Sequence, residues 1–255
     1  MKRYLPAVAA IVVLALALVA VPIGLVASAF IGNLPIPDQD ERDGVTLVKD
    51  DYVTMYVLDA GPGQVALIDC GQGPDAVNAA LKRRGLTNDA VVAAFLTHAH
   101  GDHAGGCKAF PKATIYAMAA ELPLLNGEVA PKGPVPSMMG AADQGVRATA
   151  LVDGQPVTIG TLTVTPYAMA GHTAGSAVFL ADDALFFGDS AGADSDGAIK
   201  PAPWVFSDDT AQNRAALVAL SARLDQAGTK VRRMYFGHTG PLEGSDALHT
   251  FAAAK

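Results

Sequence analysis

The sequence has few basic residues and few cysteines, and each deficit narrows its possible functions. Its 255 residues include 18 Lys and Arg against 25 Asp and Glu, a formal net charge of −7. This balance argues against a nucleic-acid partner, because binding phosphates requires a basic surface. The chain has two cysteines, Cys70 and Cys107, and two alone do not establish a disulfide. We expect two buried free thiols, with a disulfide as the alternative.

Charge is absent from one long stretch near the N-terminus. Residues 5–26 are 22 residues without a charged side chain, and about 20 apolar residues cross a bilayer. Lys2 and Arg3 precede this stretch and four acidic residues follow it by residue 43. The positive-inside rule then predicts a cytoplasmic N-terminus and places the rest of the chain outside. Residues 27–29 match an A-x-A cleavage site, which leaves a cleaved signal sequence as the alternative.

These features divide the chain into three predicted parts. Residues 1–32 are a membrane anchor or signal sequence, and residues 33–43, rich in Pro and Asp, are a linker. Residues 44–255 form one catalytic domain, long enough for a sizeable core. We therefore expect an extracytoplasmic (periplasmic or extracellular) domain that is held at the membrane by the N-terminal helix, or a secreted one if cleavage follows Ala29.

Three histidines and an aspartate are concentrated in the six residues His98-Ala99-His100-Gly101-Asp102-His103. They follow the apolar residues 91–96, which predict a buried strand. Neutral imidazole nitrogens and carboxylate oxygens are ligands for zinc and iron. A single histidine in a loop is usually a solvated side chain, but three at this spacing predict a metal site.

Three further candidate ligands follow other strand-like runs. His172 and His238 are flanked by glycine, which allows the backbone to come close to a ligand. Asp189 follows the apolar residues 184–187. Four strands that each deliver a ligand-type side chain at their end predict a metal site at the edge of a sheet.

The pattern H-x-H-x-D-H, followed in order by His172, Asp189 and His238, resembles the metallo-β-lactamase-fold hydrolase superfamily over about residues 44–243. The resemblance implies an α/β fold, a four-layer αβ/βα sandwich, with two zinc ions per chain; iron or manganese are alternatives. Carried over by position, it assigns His98, His100 and His172 to one metal. It assigns the other metal to Asp102, His103 and His238, with Asp189 as a bridge.

Two other carboxylates have roles that the resemblance implies. Asp69, at the end of a predicted strand, matches the superfamily's aspartate that supports the ligand loop. A ligating imidazole usually donates its other N–H to a carboxylate or carbonyl, although an ordinary turn aspartate is the alternative. Asp102 is the candidate catalytic residue, because a ligand to the second metal can also orient water or transfer its proton.

Two long segments without a clear element are predicted to border the substrate. Residues 126–145 contain Met138 and Met139, and residues 191–208 contain Trp204, the only tryptophan. Loops of this length are often lids or binding loops. We expect these three side chains to contact a small-molecule substrate, with local packing as the alternative.

Asp189 narrows the reaction, since the zinc β-lactamases have a cysteine or serine at the matching position. An aspartate resembles the branch with glyoxalase II-like thioesterases, lactonases and phosphodiesterases. We expect a metal-bridged hydroxide to hydrolyse an ester, thioester or lactone. Only 17 residues follow His238, so the helical substrate domain of glyoxalase II is expected to be missing. A β-lactamase, a phosphodiesterase, a mononuclear iron oxidoreductase resembling persulfide dioxygenases, and a metal-binding module without turnover stay open.

Overall fold

The structure is a computed structural model that describes residue 24, residues 26–38 and residues 40–254. The chain divides into two compact units, Met1–Gly32 and Asn33–Lys255. In the first unit, residues 26–30 are helical. Most of the predicted membrane segment, residues 5–26, lies outside the described residues. Among the residues that are described, no helix combines the length and apolar character needed to cross a bilayer.

Two β-sheets form the centre of the second unit. The first sheet has seven strands in sequence order: β1 (Asp40–Arg42), β2 (Val45–Asp50), β3 (Val53–Gly61), β4 (Gln64–Ile68), β5 (Val91–Phe95), β6 (Thr114–Met118) and β7 (Ala148–Leu151). The second sheet contains β8 (Val157–Ile159), β9 (Leu162–Ala168), β10 (Ala177–Ala181), β11 (Ala184–Phe186), β14 (Arg233–Tyr235) and β15 (Leu242–Glu243). Its strands are arranged in the order β15-β14-β11-β10-β9-β8. β12 (Ala191–Ala193) and β13 (Ile199–Pro201) form a separate pair.

The helices described in the second unit flank its sheets. The α-helices are α1 (Asp75–Arg83), α2 (Gly101–Ala104), α3 (Leu122–Leu125), α4 (Thr210–Ala227) and α5 (Asp246–Ala253). Short 3₁₀ helices span Asn88–Ala90, Cys107–Ala109, Ala119–Glu121, Pro136–Met139 and Trp204–Phe206. The longest helix, α4, begins where the Asp209 side chain accepts a hydrogen bond from the Gln212 amide, and it ends at Gly228 in the left-handed conformation. Both are common helix-end signals.

Three hydrophobic clusters separate four layers. The first packs α1 against the first sheet, the second fills the space between the sheets, and the third packs α4 and α5 against the second sheet. Strand β3 illustrates the alternation that builds them: Met55 and Val57 point into the first cluster, and Tyr56 and Leu58 into the second. Successive strand side chains face opposite sides, so each sheet has two apolar faces. The predicted αβ/βα sandwich is therefore the observed one.

Two segments contain more structure than predicted. Residues 33–43, predicted as a linker, include β1, which pairs antiparallel with β2. Residues 191–208, predicted as a long loop, contain the β12–β13 pair and the 3₁₀ helix Trp204–Phe206. In both places the strands are three residues long. Runs of that length carry too few alternating positions for a pattern to be recognised.

Cys70 and Cys107 form a disulfide, so the expectation of two free thiols was wrong. α2 returns the chain to the end of β4, where the Cys70 amide donates to the His103 carbonyl at 2.7 Å. The two Cα atoms are 5.1 Å apart, a normal spacing for a bridge. A sequence separation of 37 residues does not predict this approach, because it depends on how α2 packs.

Candidate metal centre

Strand ends converge at one edge of the sandwich. β4 and β5 are parallel neighbours in the first sheet, and β11 and β14 are parallel neighbours in the second. Parallel neighbours end on the same side of a sheet. His98 lies three residues after β5, Asp189 three after β11, and His238 three after β14. Asp69 directly follows β4, and His172 lies four residues after β9.

The side chains at this edge form two separate groups of three potential ligands, and a third set, His98, His103 and Asp189, overlaps both of them. The first group is His98, His100 and His172, and the second group is Asp102, His103 and His238. Within each group the ligand atoms lie within 4.8 Å of one another. The structure therefore brings together the six residues that the resemblance assigns to two metals.

Asp189 lies between the two groups. Its Oδ2 is 3.6 Å from His172 Nε2 in the first group and 3.0 Å from His238 Nε2 in the second. Its Oδ1 is 3.1 Å from His103 Nε2. One carboxylate thus reaches histidines of both groups, which is the position that a bridging ligand requires.

The first group has the donor chemistry of a metal site. His100 Nδ1 lies 3.1 Å from His98 Nε2 and 3.1 Å from His172 Nε2. A neutral imidazole nitrogen has either one hydrogen to donate or one lone pair to accept with, so His100 Nδ1 can form a full hydrogen bond in only one of these two contacts. A tetrahedron with metal–nitrogen bonds of about 2.0–2.1 Å has edges of about 3.3 Å. The observed spacing fits one ion of that size.

The second group fits a cation for a different reason. Among the described residues, His103 Nε2 and Asp189 Oδ1 are buried atoms without a hydrogen-bond partner, although they lie 3.1 Å apart. Buried polar atoms are nearly always paired. A metal ion between these two atoms, beside the partly exposed Asp102 carboxylate, would bind both; without one, the protonated imidazole of His103 faces the Asp189 carboxylate instead.

The histidines of the first group are held neutral. Burial lowers the pKa of His98 and of His172 well below the usual range, and it also lowers the pKa of His100. Neutral imidazole is the form that binds a metal. This group therefore has its lone pairs available at neutral pH.

The histidines of the second group have the opposite tendency. Burial lowers the pKa of His103, but the charges of Asp189, Asp69 and Asp102 outweigh it and hold the pKa well above the usual value. For His238, burial is likewise outweighed by Asp189, and the pKa is raised. Without a metal, these two imidazoles carry protons that a cation has to displace.

Partners outside the two groups orient the imidazoles. Asp69 Oδ2 accepts from His103 Nδ1 at 2.8 Å, and the carbonyl oxygen of Tyr52 lies 2.8 Å from His238 Nδ1. Nδ1–H donation to such oxygens leaves Nε2 facing the centre and selects the tautomer that binds a metal. Asp69 also accepts from the amide and the hydroxyl of Thr97 at 2.7 Å each, which anchors the start of the histidine motif.

The space around Gly237 explains why a glycine precedes His238. A Cβ atom at this position would collide with Asp189 Oδ1 and would lie 2.9 Å from His103 Cε1. The backbone can therefore pass beside the centre only without a side chain.

Glu121 belongs to this region, and the sequence analysis missed it. The residue is 1% exposed, and its carboxylate accepts a hydrogen bond from the Ala99 amide at 2.7 Å. Burial raises the pKa of Glu121 to about 7, against the lowering effect of its hydrogen bonds. Its position within the mostly apolar residues 117–125 was the available signal, because a lone acid in an apolar run is often buried and paired.

The three predicted substrate residues lie on the surface. Met138 and Met139 are 81% and 83% exposed, and Trp204 is 53% exposed. The two methionines thus do little local packing, whereas Trp204 is about half buried and the alternative of local packing stays open for it. Contact with substrate stays a prediction for all three.

The loop that carries Trp204 borders the first group, and the loop that carries Met138 and Met139 is hydrogen-bonded to that loop. The Val135 amide donates to the Val205 carbonyl at 2.9 Å, which joins the two loops. Ser207 Oγ lies 3.1 Å from His172 Nδ1, and the Asp208 amide donates to the His172 carbonyl. The second loop is therefore attached directly to a candidate ligand.

Comparisons with known proteins agree with this geometry. The profile of the metallo-beta-lactamase superfamily matches residues 48–238. A hydroxyacylglutathione hydrolase of Xanthomonas axonopodis pv. citri is 32% identical over 143 residues, which are 55% of this chain and 46% of that protein. The chain spans about half the length of the curated relatives it matches.

Solved structures share the fold. A metallo-beta-lactamase family protein from Thermus thermophilus has a TM-score of 0.60 at 24% identity, over 82% of this chain and 78% of that one. A subclass B3 metallo-beta-lactamase of Bradyrhizobium japonicum has a TM-score of 0.60 at 20% identity, over 89% and 86% of the two chains. At such identities the likeness concerns the fold alone. With the superfamily profile matched over more than half of its length, the chain belongs to the metallo-beta-lactamase superfamily.

Proposed function

We propose that this protein is a dinuclear metallohydrolase that cleaves an ester, thioester or lactone. The observation that carries the proposal is the convergence of the first and second groups on either side of Asp189. Zinc is the proposed metal, because histidine nitrogens and carboxylate oxygens at this spacing suit it; iron and manganese are alternatives. When bound, such a metal pair supplies an acidified water and a Lewis acid for the substrate carbonyl.

The residues of this chain then have distinct tasks. The first group would hold one metal, the second group the other, and Asp189 both. Asp69 keeps His103 in the tautomer whose Nε2 faces the centre. Asp102 is the proposed proton carrier, because its Oδ2 is 3.5 Å from His238 Nε2 and its side chain is 22% exposed. Hydrolysis adds water across the acyl bond: the attacking water loses a proton, which the Asp102 carboxylate can accept and pass to the departing alcohol or thiol.

Two observations favour an acyl substrate with an apolar part. The curated relatives are named hydroxyacylglutathione hydrolases, and an aspartate stands at position 189. The exposed side chain of Trp204 lies on the loop that borders the first group, and Met138 and Met139 lie on the loop that is hydrogen-bonded to it. We propose that they contact the acyl or leaving group of a small-molecule substrate, because apolar side chains line most ligand sites.

An extracytoplasmic site of action is also proposed. The Cys70–Cys107 disulfide is buried in the domain, and disulfides persist mainly in oxidising compartments. Together with the uncharged residues 5–26, this supports a domain outside the cytoplasm. Anchoring by the N-terminal segment, or secretion after cleavage at Ala29, stays a prediction.

A substrate panel on the zinc-loaded full chain tests the activity. We expect turnover of an ester, thioester or lactone, and two zinc ions per chain by metal analysis. Asp102→Asn should lower kcat/KM by about 10²–10⁴-fold, the usual contribution of a proton-transfer group. A matched control is Asp153→Asn, because Asp153 is a partly exposed carboxylate paired with Arg223.

The panel also includes a β-lactam, a phosphodiester and a persulfide. No turnover of any acyl substrate by protein with two bound metals would contradict the proposal. A single iron per chain with persulfide oxidation would indicate the oxidoreductase instead.

A further inference from the structure

Glu121 is a buried carboxylate with its hydrogen-bonding capacity in use. Its Oε1 accepts from the Ala99 amide at 2.7 Å. Its Oε2 accepts from the Thr173 hydroxyl at 2.8 Å and from the Gly175 amide at 2.9 Å. Burying a carboxylate is unfavourable unless such donors surround it, so this cluster of donors stabilises Glu121 in place.

The donors belong to the two loops that deliver the first group. Ala99 separates His98 from His100, and Thr173 directly follows His172. The carboxylate therefore ties together the loops after β5 and β9, which come from different sheets. Among the hydrogen bonds described for Glu121, none reaches the second group.

Gly175 shows that the approach of the second loop is close. A Cβ atom there would collide with the Glu121 amide nitrogen and would lie 2.6 Å from the Ala120 carbonyl carbon. The loop is also closed on itself, since the Thr173 amide donates to Ser176 Oγ at 2.9 Å. Both loops are thus fitted to the backbone around residue 121.

Asp69 is a second buried carboxylate, and it supports the second group. It accepts from Thr97 and from His103 of the second group. His98 therefore lies between one neighbour held by Asp69 and another, Ala99, held by Glu121. The two buried carboxylates thus support different parts of the centre: Asp69 holds His103 of the second group, and Glu121 holds the loops of the first group.

We propose that Glu121 is a positioning residue for the first group. It acts through backbone and hydroxyl contacts, and it holds His98, His100 and His172 at the spacing that one metal ion requires. The proposal rests on the metal sites of the proposed function but not on the reaction. Loss of Glu121 should weaken the first metal site and leave the second nearly unchanged.

Metal titration of the full chain tests this without measuring turnover. Zinc dissociation constants are obtained by competition with a chromophoric chelator, and His100→Ala and His238→Ala assign each constant to its group. Glu121→Ala should raise the constant of the first group by about 10–100-fold, the usual effect of losing such a supporting contact. The constant of the second group should change by less than about threefold.

Milder variants keep the test decisive if Glu121→Ala does not fold. Glu121→Gln retains one accepting oxygen but turns an NH₂ group toward an amide donor, so we expect an intermediate loss. Thr173→Val removes one hydrogen bond to Oε2 and should also weaken the first group selectively. Equal weakening of both groups, or no change in either, would overturn the proposal.

Asp40→Asn is the matched control for general destabilisation. Asp40 is a nearly buried carboxylate, 2.6 Å from Arg233, and it lies on β1. This variant should lower stability while the ratio of the two zinc constants stays as in the wild type. If Asp40→Asn changed the ratio as Glu121→Ala does, the role of Glu121 would be merely structural. A protein that binds two zinc ions and hydrolyses nothing would contradict the proposed function alone.

Discussion

Individual side chains give the two metal groups different proton states. Burial keeps the first group neutral, because the pKa values of His98, His100 and His172 are lowered. The acidic neighbours of the second group raise the pKa values of His103 and His238 despite burial. The same residue type therefore meets a metal in two forms within one site.

Proton release on metal binding measures this difference. Zinc binding to the second group should displace more protons at pH 7 than binding to the first group, because the pKa values of His103 and His238 are raised and those of the first group are lowered. The affinity of the second group should then rise with pH until His103 and His238 lose their protons, while that of the first group stays nearly flat above about pH 6.5. Calorimetry in buffers of different ionisation enthalpy checks both statements, with His238→Ala isolating the first group and His100→Ala the second.

Equal proton release from both groups would contradict this assignment. The result is independent of substrate, because it depends only on the charges around the imidazoles.

The candidate ligands and Glu121 differ in how far they can be predicted from sequence. His98, His172 and His238 follow strand-like runs, and their residue type has specific chemistry, so spacing alone indicates a metal site. Glu121 has neither advantage, because its role depends on two loops that approach from residues 99 and 175. Such an approach is a property of the packed sandwich and leaves no periodic pattern.

At the scale of elements, the disulfide joins the end of β4 to the segment after α2. These are the elements that carry Asp69 and the histidine motif. The bond therefore ties the supporting carboxylate to the loop that it supports.

Removal of this bond should cost stability. For Cys70→Ser with Cys107→Ser, closing a loop of 37 residues corresponds to about 4 kcal/mol of unfolding free energy in the chain-entropy model. Urea unfolding of the zinc-free full chain, compared between the wild type and the double variant, measures the loss of unfolding free energy. Reductant should produce the same loss in the wild type and none in the variant, and an unchanged midpoint in both would contradict the prediction.

Elements were predictable where they were long and capped. Helix α4 has strong sequence signals, because Leu217, Leu220 and Leu224 recur at helical spacing on its buried face and Asp209 caps its start. The disulfide and the three-residue strands β12 and β13 were not predictable, since each depends on contacts distant in sequence.

For the whole molecule, each metal group contains residues from both sheets. His98 and His100 follow the first sheet and His172 the second; Asp102 and His103 follow the first and His238 the second. A metal ion bound by either group would therefore link the two sheets at one edge of the sandwich.

Metal removal should consequently lower the melting temperature of the whole domain. Free zinc at about 1,000 times the dissociation constant contributes about 4 kcal/mol of unfolding free energy per site. For each site this corresponds to a rise in melting temperature on the order of 10 °C. Scanning calorimetry of chelator-treated and zinc-restored protein measures it. His238→Ala should retain about half of the shift, and a melting temperature unaffected by zinc would contradict the linkage.

The division of every metal group between the two sheets has a consequence for the order of folding. Neither half of the chain contains a complete triad, so a cation cannot template one half before the other has docked. Zinc should therefore leave the refolding rate almost unchanged and slow the unfolding rate, as expected of contacts that form after the transition state. The ions would bind late in folding and stabilise a sandwich that has already assembled.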